Sequence, residues 1–341
     1  MRSETSTLTL KEKLKILLIV ILAIIFGYIG GIYGSIDFII ALSFYSLFLY
    51  TLIFPFKKFK DRDFEFFNAE NLGKFAFAFA YRMSAFLIII FSILGGFAYY
   101  QNKISPAMMP IYEISNGDKT VVFHSMSHIA SPEFYTETKK YVENLEKSGY
   151  LLFYEGVKPG TKESSLKFDK ALGVKFDKDL YKNMSKLYGL VNQDNSIFVS
   201  SGAKNVDLSM DEIIALYDKI PSQNRLSQEV VDVNPLINAT LDSLNPKELE
   251  ILRFLNKAII NTIIKNGDIQ DAMSQGLGNK ALMDTIFGKR NDNLAASIIE
   301  EKQKKIVITY GLLHFKGVLE LLQKNDANWK IKKVDYSQVV R

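Results

Sequence analysis

From Ile16 to Gly34 the chain reads ILLIVILAIIFGYIGGIYG, and a second apolar run extends from Phe38 to Phe56; neither contains a charged residue. Each is close to the ~20 apolar residues that a helix needs to cross a bilayer. A cleaved signal peptide would have a shorter apolar core ending at small residues, and here a second run follows almost at once. Asp37 and the glycines Gly31 and Gly34 mark a tight connection, so the two runs are expected to form a helical hairpin. Pro55 to Phe75 reads as a charged, aromatic interfacial loop, and a third apolar stretch follows, clearest from Met83 to Tyr100 with Arg82 near its start. Spans are thus expected at about residues 16–34, 38–56 and 80–100, which makes residues 1–100 a three-helix transmembrane region.

Basic residues decide the orientation. Arg2, Lys11, Lys13 and Lys15 precede the first span, and Lys57, Lys58, Lys60 and Arg62 follow the second, while the turn between the two spans has none. Cytoplasmic loops carry such an excess. The amino terminus is therefore expected in the cytoplasm, and three spans place residues 101–341 outside a cell membrane that the chain crosses several times. The partner implied is membrane lipid, and an oligomer built through the spans is compatible with the sequence. Nucleic acid is a poor partner, because the net charge of +5 is not gathered into a basic stripe with interleaved aromatics. The absence of cysteine excludes a disulfide framework, a thiolate metal site and a cysteine nucleophile.

Beyond Gln101 the pattern is that of an α/β domain with a mixed central sheet flanked by helices. Ile111–Ile114 and Thr120–His124 flank the turn pair Asn116-Gly117 and read as a hairpin. Ser131-Pro132 opens a helix that Gly149 stops, and Leu151–Tyr154 is a short strand ending in Glu155-Gly156. Lys158 to Gly173 reads as a polar loop, Phe176 to Val191 as a helix and Ile197 to Ser200 as a strand. Ser209 and Glu212 form a capping box ahead of a helix to Lys219. Helices are expected from Asn245-Pro246 through Ile264, stopping at Gly267, and from Leu282 to Glu301, the latter carrying Arg290 and Asn291. A β-branched strand, Ile306–Thr309, then stops at Gly311; His314 follows, a helix begins near Gly317, and Lys330–Tyr336 makes a final edge strand.

The chain has only 3 histidines, His124, His128 and His314, and all follow or end apolar strands. Ligands of open α/β sheets sit outside the carboxyl ends of the strands, so a shared site is expected there. Two imidazoles and the carboxylate of Glu155 suit a divalent transition metal (Mn, Co or Zn) that would activate water. Glu155 could equally serve as a general base. Arg290 could clamp a substrate carboxylate or a developing oxyanion with its fixed fork of donors. The glycine at Gly311 would let the backbone turn sharply and approach a ligand closely.

At these residues the chain resembles the TraB/PrgY/GumN family and its animal relatives, the Tiki proteins, over roughly Thr120 to Tyr336. That family carries two Gly-x-x-His motifs, a strand-ending glutamate and an arginine in a helix before the second motif. Gly311-Leu312-Leu313-His314, with the following Gly317, is similar to the second motif; Glu155 in LLFYEGV and Arg290 in KRNDNLAASIIEE match the other two features. GLVNQ (Gly189–Gln193) and NVDLSMDEI (Asn205–Ile213) also resemble the family's middle region. The first motif departs: Ser125 stands in place of its glycine in Ser125-Met126-Ser127-His128, with His124 as an extra histidine, so a looser turn is expected there. The resemblance implies metal ligands at His128, Glu155 and His314, with His124, Ser125, Gly311 and Asn291 around them. It further implies a metal-dependent, peptidase-like hydrolase, or a relative that limits a secreted peptide signal by sequestering it without turnover. Erythromycin-type esterases are similar in fold, and fold analogy alone does not choose among these reactions.

Overall fold

The computed structural model describes residues 8–60, 65, 68–193, 200–221, 227–266 and 279–341. It divides into two units, Met1–Phe97 with Leu244–Ile251, and Ala98–Ser243 with Leu252–Arg341.

The first unit holds α1 (Leu10–Lys60) and α2 (Ala69–Tyr99). Within α1 the one non-helical residue is Gly31, at φ 67° and ψ −161°, a region that only glycine enters cheaply. Ser35 Oγ donates to the Ala23 carbonyl at 2.8 Å, and the rings of Phe26 and Phe38 stack with centroids 4.8 Å apart. In an unbroken helix such pairs would lie about 18 Å apart along the axis, so the chain doubles back at Gly31. Gly34 permits the close return, since a Cβ there would fall 2.3 Å from the Phe26 carbonyl oxygen. The hairpin expected from the two apolar runs is thus formed. The expected loop at Pro55–Phe75 is shorter than read: α1 continues through Pro55 to Lys60, where Lys57, Lys58 and Lys60 suit the negative end of a helix dipole, and α2 begins at Ala69. Among the described residues two helices, Leu10–Lys60 and Ala69–Ile104, are long and apolar enough to cross a membrane, and only 6% of each apolar window is covered by protein.

The second unit is an α/β domain around a mixed six-stranded sheet. Its chain runs β1 (Met108–Ser115), β2 (Thr120–Met126), β3 (Ile129–Ala130), α3 (Pro132–Lys147), β4 (Leu151–Tyr154), α4 (Lys162–Leu172) and α5 (Lys178–Tyr188). It continues through β5 (Val191–Asn192), β6 (Lys204–Asn205), α6 (Met210–Tyr217), α7 (Asn234–Ser243), α8 (Pro246–Asn266) and α9 (Lys280–Glu300). β7 (Lys305–Gly311), α10 (Phe315–Asn325) and β8 (Lys330–Gln338) complete it. The strand order is β6-β4-β7-β2-β1-β8, and β3 pairs with β5 in a separate ribbon. β6, β4, β7 and β2 are parallel, while β1 runs antiparallel to both β2 and β8. The Asn116-Gly117 hairpin and the edge position of the last strand match expectation, with Gly117 at φ 98°.

The pleat sorts the strand residues between two cores. Val121, Phe123, Phe153, Ile306 and Ile308 pack with Leu294, Ala295 and Ile298 of α9 and with Phe315, Val318 and Leu322 of α10. Val122, Met126, Leu152 and Val307 face the other way, against Phe134, Tyr135 and Val142 of α3. Each fully buried aliphatic or aromatic side chain here contributes about 1.5–3 kcal/mol.

The polar loop expected at Lys158–Gly173 is instead largely α4. Thr161 caps its amino end by accepting from the Ser164 amide at 3.2 Å, and Gly173 closes it at φ 72°. Its apolar stripe is only Phe168, Ala171 and Leu172, set into a small cluster with Ile213, Ile214, Tyr217 and Leu282. Spacing of three and four residues makes one helical face, which lysines and serines around it disguise in sequence. The helix expected at Phe176–Val191 is shorter, capped by Asp177 and ended by Gly189, so that Val191 enters β5. The capping box at Ser209 and Glu212 is present. The strand expected at Ile197–Ser200 and the stop at Gly267 lie outside the described residues, apart from Ser200, which is not in a strand.

One buried lysine fixes α9, the helix that carries Arg290 and Asn291. Lys119, in the β1–β2 hairpin, donates from Nζ to the carbonyls of Ile298 and Glu301 at 2.6 Å and of Ile299 at 3.1 Å. These are carbonyls that the end of a helix leaves without intrahelical partners. Lys119→Met keeps the apolar stem but removes the ammonium, so the unfolding free energy should fall by about 1–3 kcal/mol. Guanidinium unfolding followed by the fluorescence of Trp329, the chain's one tryptophan, checks this as a lower midpoint at unchanged slope.

Candidate functional site

Three parallel strands end in one row. Ser125 on β2 pairs with Tyr310 on β7, and Tyr154 on β4 pairs with Thr309, whose carbonyl accepts from the Glu155 amide at 3.0 Å. Phe123, Ile308 and Phe153 share one core, so by the period-2 alternation of strands the residues two further on, Ser125, Tyr310 and Glu155, point to that same side. After β7 a 3₁₀ turn, Leu312–His314, delivers His314 above the row, and α9 lays Arg290 and Asn291 against it.

Arg290 is the centre of the arrangement. Its Nη2 donates to Glu155 Oε1 at 2.5 Å and to Asp207 Oδ2 at 2.7 Å, and its Nε donates to Asp207 Oδ1 at 2.8 Å. Its guanidinium also lies 5.3 Å from the centroid of the Tyr310 ring. Burial alone would raise the Glu155 carboxyl, but the charge and hydrogen bond of Arg290 outweigh it and hold the group at about 2. Burial disfavours the Arg290 charge, and Glu155 and Asp207 reverse that, keeping it firmly protonated. Asp207 accepts from the Gly156 and Leu208 amides and the Tyr310 hydroxyl as well, so every contact of its carboxylate is a donor.

His314 is neutral. Burial lowers it first and the Arg290 charge adds to this, against Glu155 and Asp207, bringing it from 6.5 to about 4. Its Nδ1 lies 2.6 Å from Asn291 Oδ1, and an amide oxygen only accepts, so Nδ1 carries the proton and Nε2 keeps its lone pair. Gly317 makes room for this bond: a Cβ there would fall 2.2 Å from Asn291 Nδ2. Gly311 acts through close approach and not through a special turn. Its φ is −54°, its amide donates to Glu155 Oε2 at 2.6 Å, and a Cβ would press on that oxygen at 3.3 Å.

The structure therefore gathers Glu155, Arg290, Asn291, Gly311 and His314, with Ser125 in their row. The looser turn expected at Ser125 does not occur, because among the described residues no residue but glycine has positive φ and Ser125 lies within a regular strand. His124 is separated from the site: one residue before Ser125, it points to the α3 side, between Phe134 and Tyr141. Its Nδ1 donates to the Ser125 carbonyl at 3.2 Å and its Nε2 faces Thr138 Oγ1 at 3.4 Å. His128 sits exposed at the site's edge, its ring 5.0 Å from that of Tyr181, within electrostatic reach of Glu155 and His314. Among the described residues no group of three or more His, Asp or Glu side chains is placed to hold a metal ion. The expected Mn, Co or Zn site at His128, Glu155 and His314 does not fit this geometry, since the Glu155 oxygens are taken by Arg290 and the Gly311 amide.

Three functional candidates escaped the sequence reading. Asp207 follows β6 as Glu155 follows β4, a carboxylate just past the end of a parallel strand, and that position was the available signal. Tyr310 reads as one more apolar strand residue. Tyr181 reads as a helix surface, yet its phenol is pushed up to about 12 by burial first and then by the charge of Glu155. No protein-family model, curated protein or solved structure matches the chain, so the resemblance to the TraB/PrgY/GumN family rests on the residues themselves.

The two buried histidines give stability a pH dependence of known sign. Both fall from 6.5 to about 4, so between those values the folded chain binds fewer protons than the unfolded one. Stability is then full above 6.5 and is lost as pH falls through that window. Glu155, held at about 2 against 4.5, adds its loss below 4.5. The thermal midpoint should fall steadily from pH 6.5 to pH 4, and His124→Gln should remove about half of that slope by deleting one of the two shifted imidazoles. Calorimetry across that range checks it.

Proposed function

We propose that the chain is a membrane-anchored hydrolase that cleaves an amide bond of a peptide outside the cytoplasm. The observation that carries this reading is His314, a neutral imidazole with Nδ1–H fixed on Asn291 and Nε2 open, beside a buried ionised Glu155–Arg290–Asp207 network. A positioned imidazole of this kind is a general base. Nε2 takes a proton from the attacking water, whose oxygen bonds to the carbonyl carbon. The imidazolium formed is stabilised by the carboxylates of Glu155 and Asp207, and returns its proton to the leaving amine nitrogen as the C–N bond breaks. Arg290 Nη1, the guanidinium nitrogen not engaged by the two carboxylates, is the donor for the tetrahedral oxyanion.

A peptide-sequestering protein without turnover is the second reading. It is favoured by the way the fold itself occupies Glu155 and two nitrogens of Arg290. A digest of a peptide mixture by the full chain in detergent, read by mass spectrometry, separates the two. Product should appear and should fall by about 10²–10⁴ in His314→Ala, the loss expected for a general base. Peptide retained without product would establish sequestration instead.

The fold-back at Gly31 supports three spans, because it divides the α1 helix into two arms, each long enough to cross a bilayer. Three spans, with the lysines Lys57, Lys58 and Lys60 on the cytoplasmic side, support an extracytoplasmic second unit. The chain has no cysteine, so each introduced one reports a single position. A membrane-impermeant maleimide should label Lys324→Cys in intact cells and Lys58→Cys only after permeabilisation; the opposite pattern would put the domain in the cytoplasm.

A further inference from the structure

The start of α1 and the middle of α2 bring three cations to one phenol. Lys15 Nζ stands 4.7 Å from the centroid of the Tyr81 ring and 6.0 Å from that of Phe77, and the Arg82 guanidinium lies 5.9 Å from the Tyr81 centroid. Arg82 Nε donates to the Tyr81 hydroxyl oxygen at 3.4 Å. Lys11, one turn before Lys15 on the same helical face, is within electrostatic reach of that hydroxyl. Among the described residues no carboxylate lies within ion-pair distance of Lys11, Lys15 or Arg82. Glu12, within electrostatic reach of Lys15, accepts instead from the amide and hydroxyl of Thr9 at 2.9 and 2.8 Å, and Glu70 is paired with Lys74.

The depth of this cluster is the second observation. Arg82 is exposed and interrupts an apolar stretch of α2, with Phe75–Tyr81 before it and Met83–Gly96 after it. Lys15 is the last charge before the first apolar run. Their shared contact with Tyr81 puts both at one level, and α2 ends at Tyr99 about 26 Å further along its axis, close to the ~30 Å of a hydrocarbon core. With both helices read as spans, that level is the boundary between acyl chains and headgroups on the side of the amino terminus. Cations at such a depth are expensive unless an anion pairs with them. The anion a bilayer offers there is phosphate.

We infer that Lys15, Arg82 and Tyr81, with Lys11 beside them, hold the phosphate of an anionic phospholipid. The inference rests on the two helices being spans and is independent of the hydrolase reading. An ionised phosphodiester only accepts hydrogen bonds, and the cluster supplies donors of three kinds. These are the Lys15 ammonium, the Arg82 fork, and the Tyr81 hydroxyl hydrogen, which is left over because the phenol oxygen accepts from Arg82. Neither Nη atom of Arg82 makes a hydrogen bond among the described residues. A zwitterionic headgroup would bring its own ammonium into the same positive field, so the cluster selects lipids of net negative charge.

The test uses the full chain in detergent, with bound lipid counted by native mass spectrometry. The probes are dioleoyl-phosphatidylglycerol, dioleoyl-phosphatidylcholine and, as a soluble source of the same chemistry, glycerol 3-phosphate. Phosphatidylglycerol should bind at least about tenfold more tightly than phosphatidylcholine. Lys15→Gln and Arg82→Gln should each weaken it by about fivefold, the worth of one cation beside an anionic headgroup, with phosphatidylcholine binding unchanged to show the fold intact. Lys13→Gln is the control: it removes the same charge from the same turn of α1 but from another face, and should change nothing. Equal binding of the two lipids, no loss in Lys15→Gln or Arg82→Gln, an equal loss in Lys13→Gln, or displacement of the lipid by glycerol 3-phosphate would each overturn the inference. Maleimide labelling at Lys58→Cys tests the spans separately. Labelling as expected without the lipid preference would remove this site and leave the spans, and a preference that needs Lys15 and Arg82 would stand whether or not the peptide digest yields product.

Discussion

Arg290 is held between two carboxylates that arrive from different parts of the chain, Glu155 at the end of β4 and Asp207 past the end of β6, and the geometry of the strand ends depends on that contact. All three groups are buried, and removing one member of such a network typically costs about 3–5 kcal/mol because its partner is left charged and unpaired. The network is closed by neutral donors. Tyr310 and the amides of Gly156, Leu208 and Gly311 donate to the carboxylates, so the negative ends are fixed by backbone as well as by charge. α9 is in turn held at its far end by Lys119, which places the guanidinium along a rigid helix and not on a loop.

His124 and His314 show how equal burial can serve opposite purposes. Both are neutral, and both are lowered by desolvation to about 4. His124 has a neighbour at each nitrogen and two aromatic rings against its faces, so it is part of the packing between the sheet and α3. His314 has one nitrogen tied to Asn291 and the other open. The difference is set by placement and not by residue type: parity along β2 turns His124 to the α3 side, while the turn after β7 delivers His314 to the strand ends. In β2 an inward step of one residue moves a side chain from one core to the other, which is why the extra histidine beside the departed motif has no place in the site.

Much of the scaffold was legible along the chain because it depends on local rules. Uncharged runs at Ile16–Gly34 and Phe38–Phe56, glycines between them, the Asn116-Gly117 turn, the capping box at Ser209–Glu212 and the strand Leu151–Tyr154 each carry their own signal within a few residues. α4 was hidden because only Phe168, Ala171 and Leu172 of its apolar residues are buried, and a stripe that narrow is recognised by what it packs on. Half of the site was legible as well: Glu155, Arg290, Asn291 and His314 stand at strand ends or on the helix before the last parallel strand.

The remainder belonged to the tertiary structure. That Glu155 and Asp207 would converge on one guanidinium depends on the order β6-β4-β7-β2, a pairing of segments that no local pattern encodes. That Ser125 sits within a strand and faces Tyr310 depends on register, where a shift of one residue would reverse every face. Gly311 and Gly317 were visible as glycines, but the need for them is steric contact with Glu155 and Asn291, across the fold. Sequence alone determined which segments are apolar, which turn and which carry ionisable groups, because those are properties of residues and their near neighbours. The folded chain decided which of those groups share a buried electrostatic environment, because desolvation and charge pairing exist only between side chains that folding has brought together.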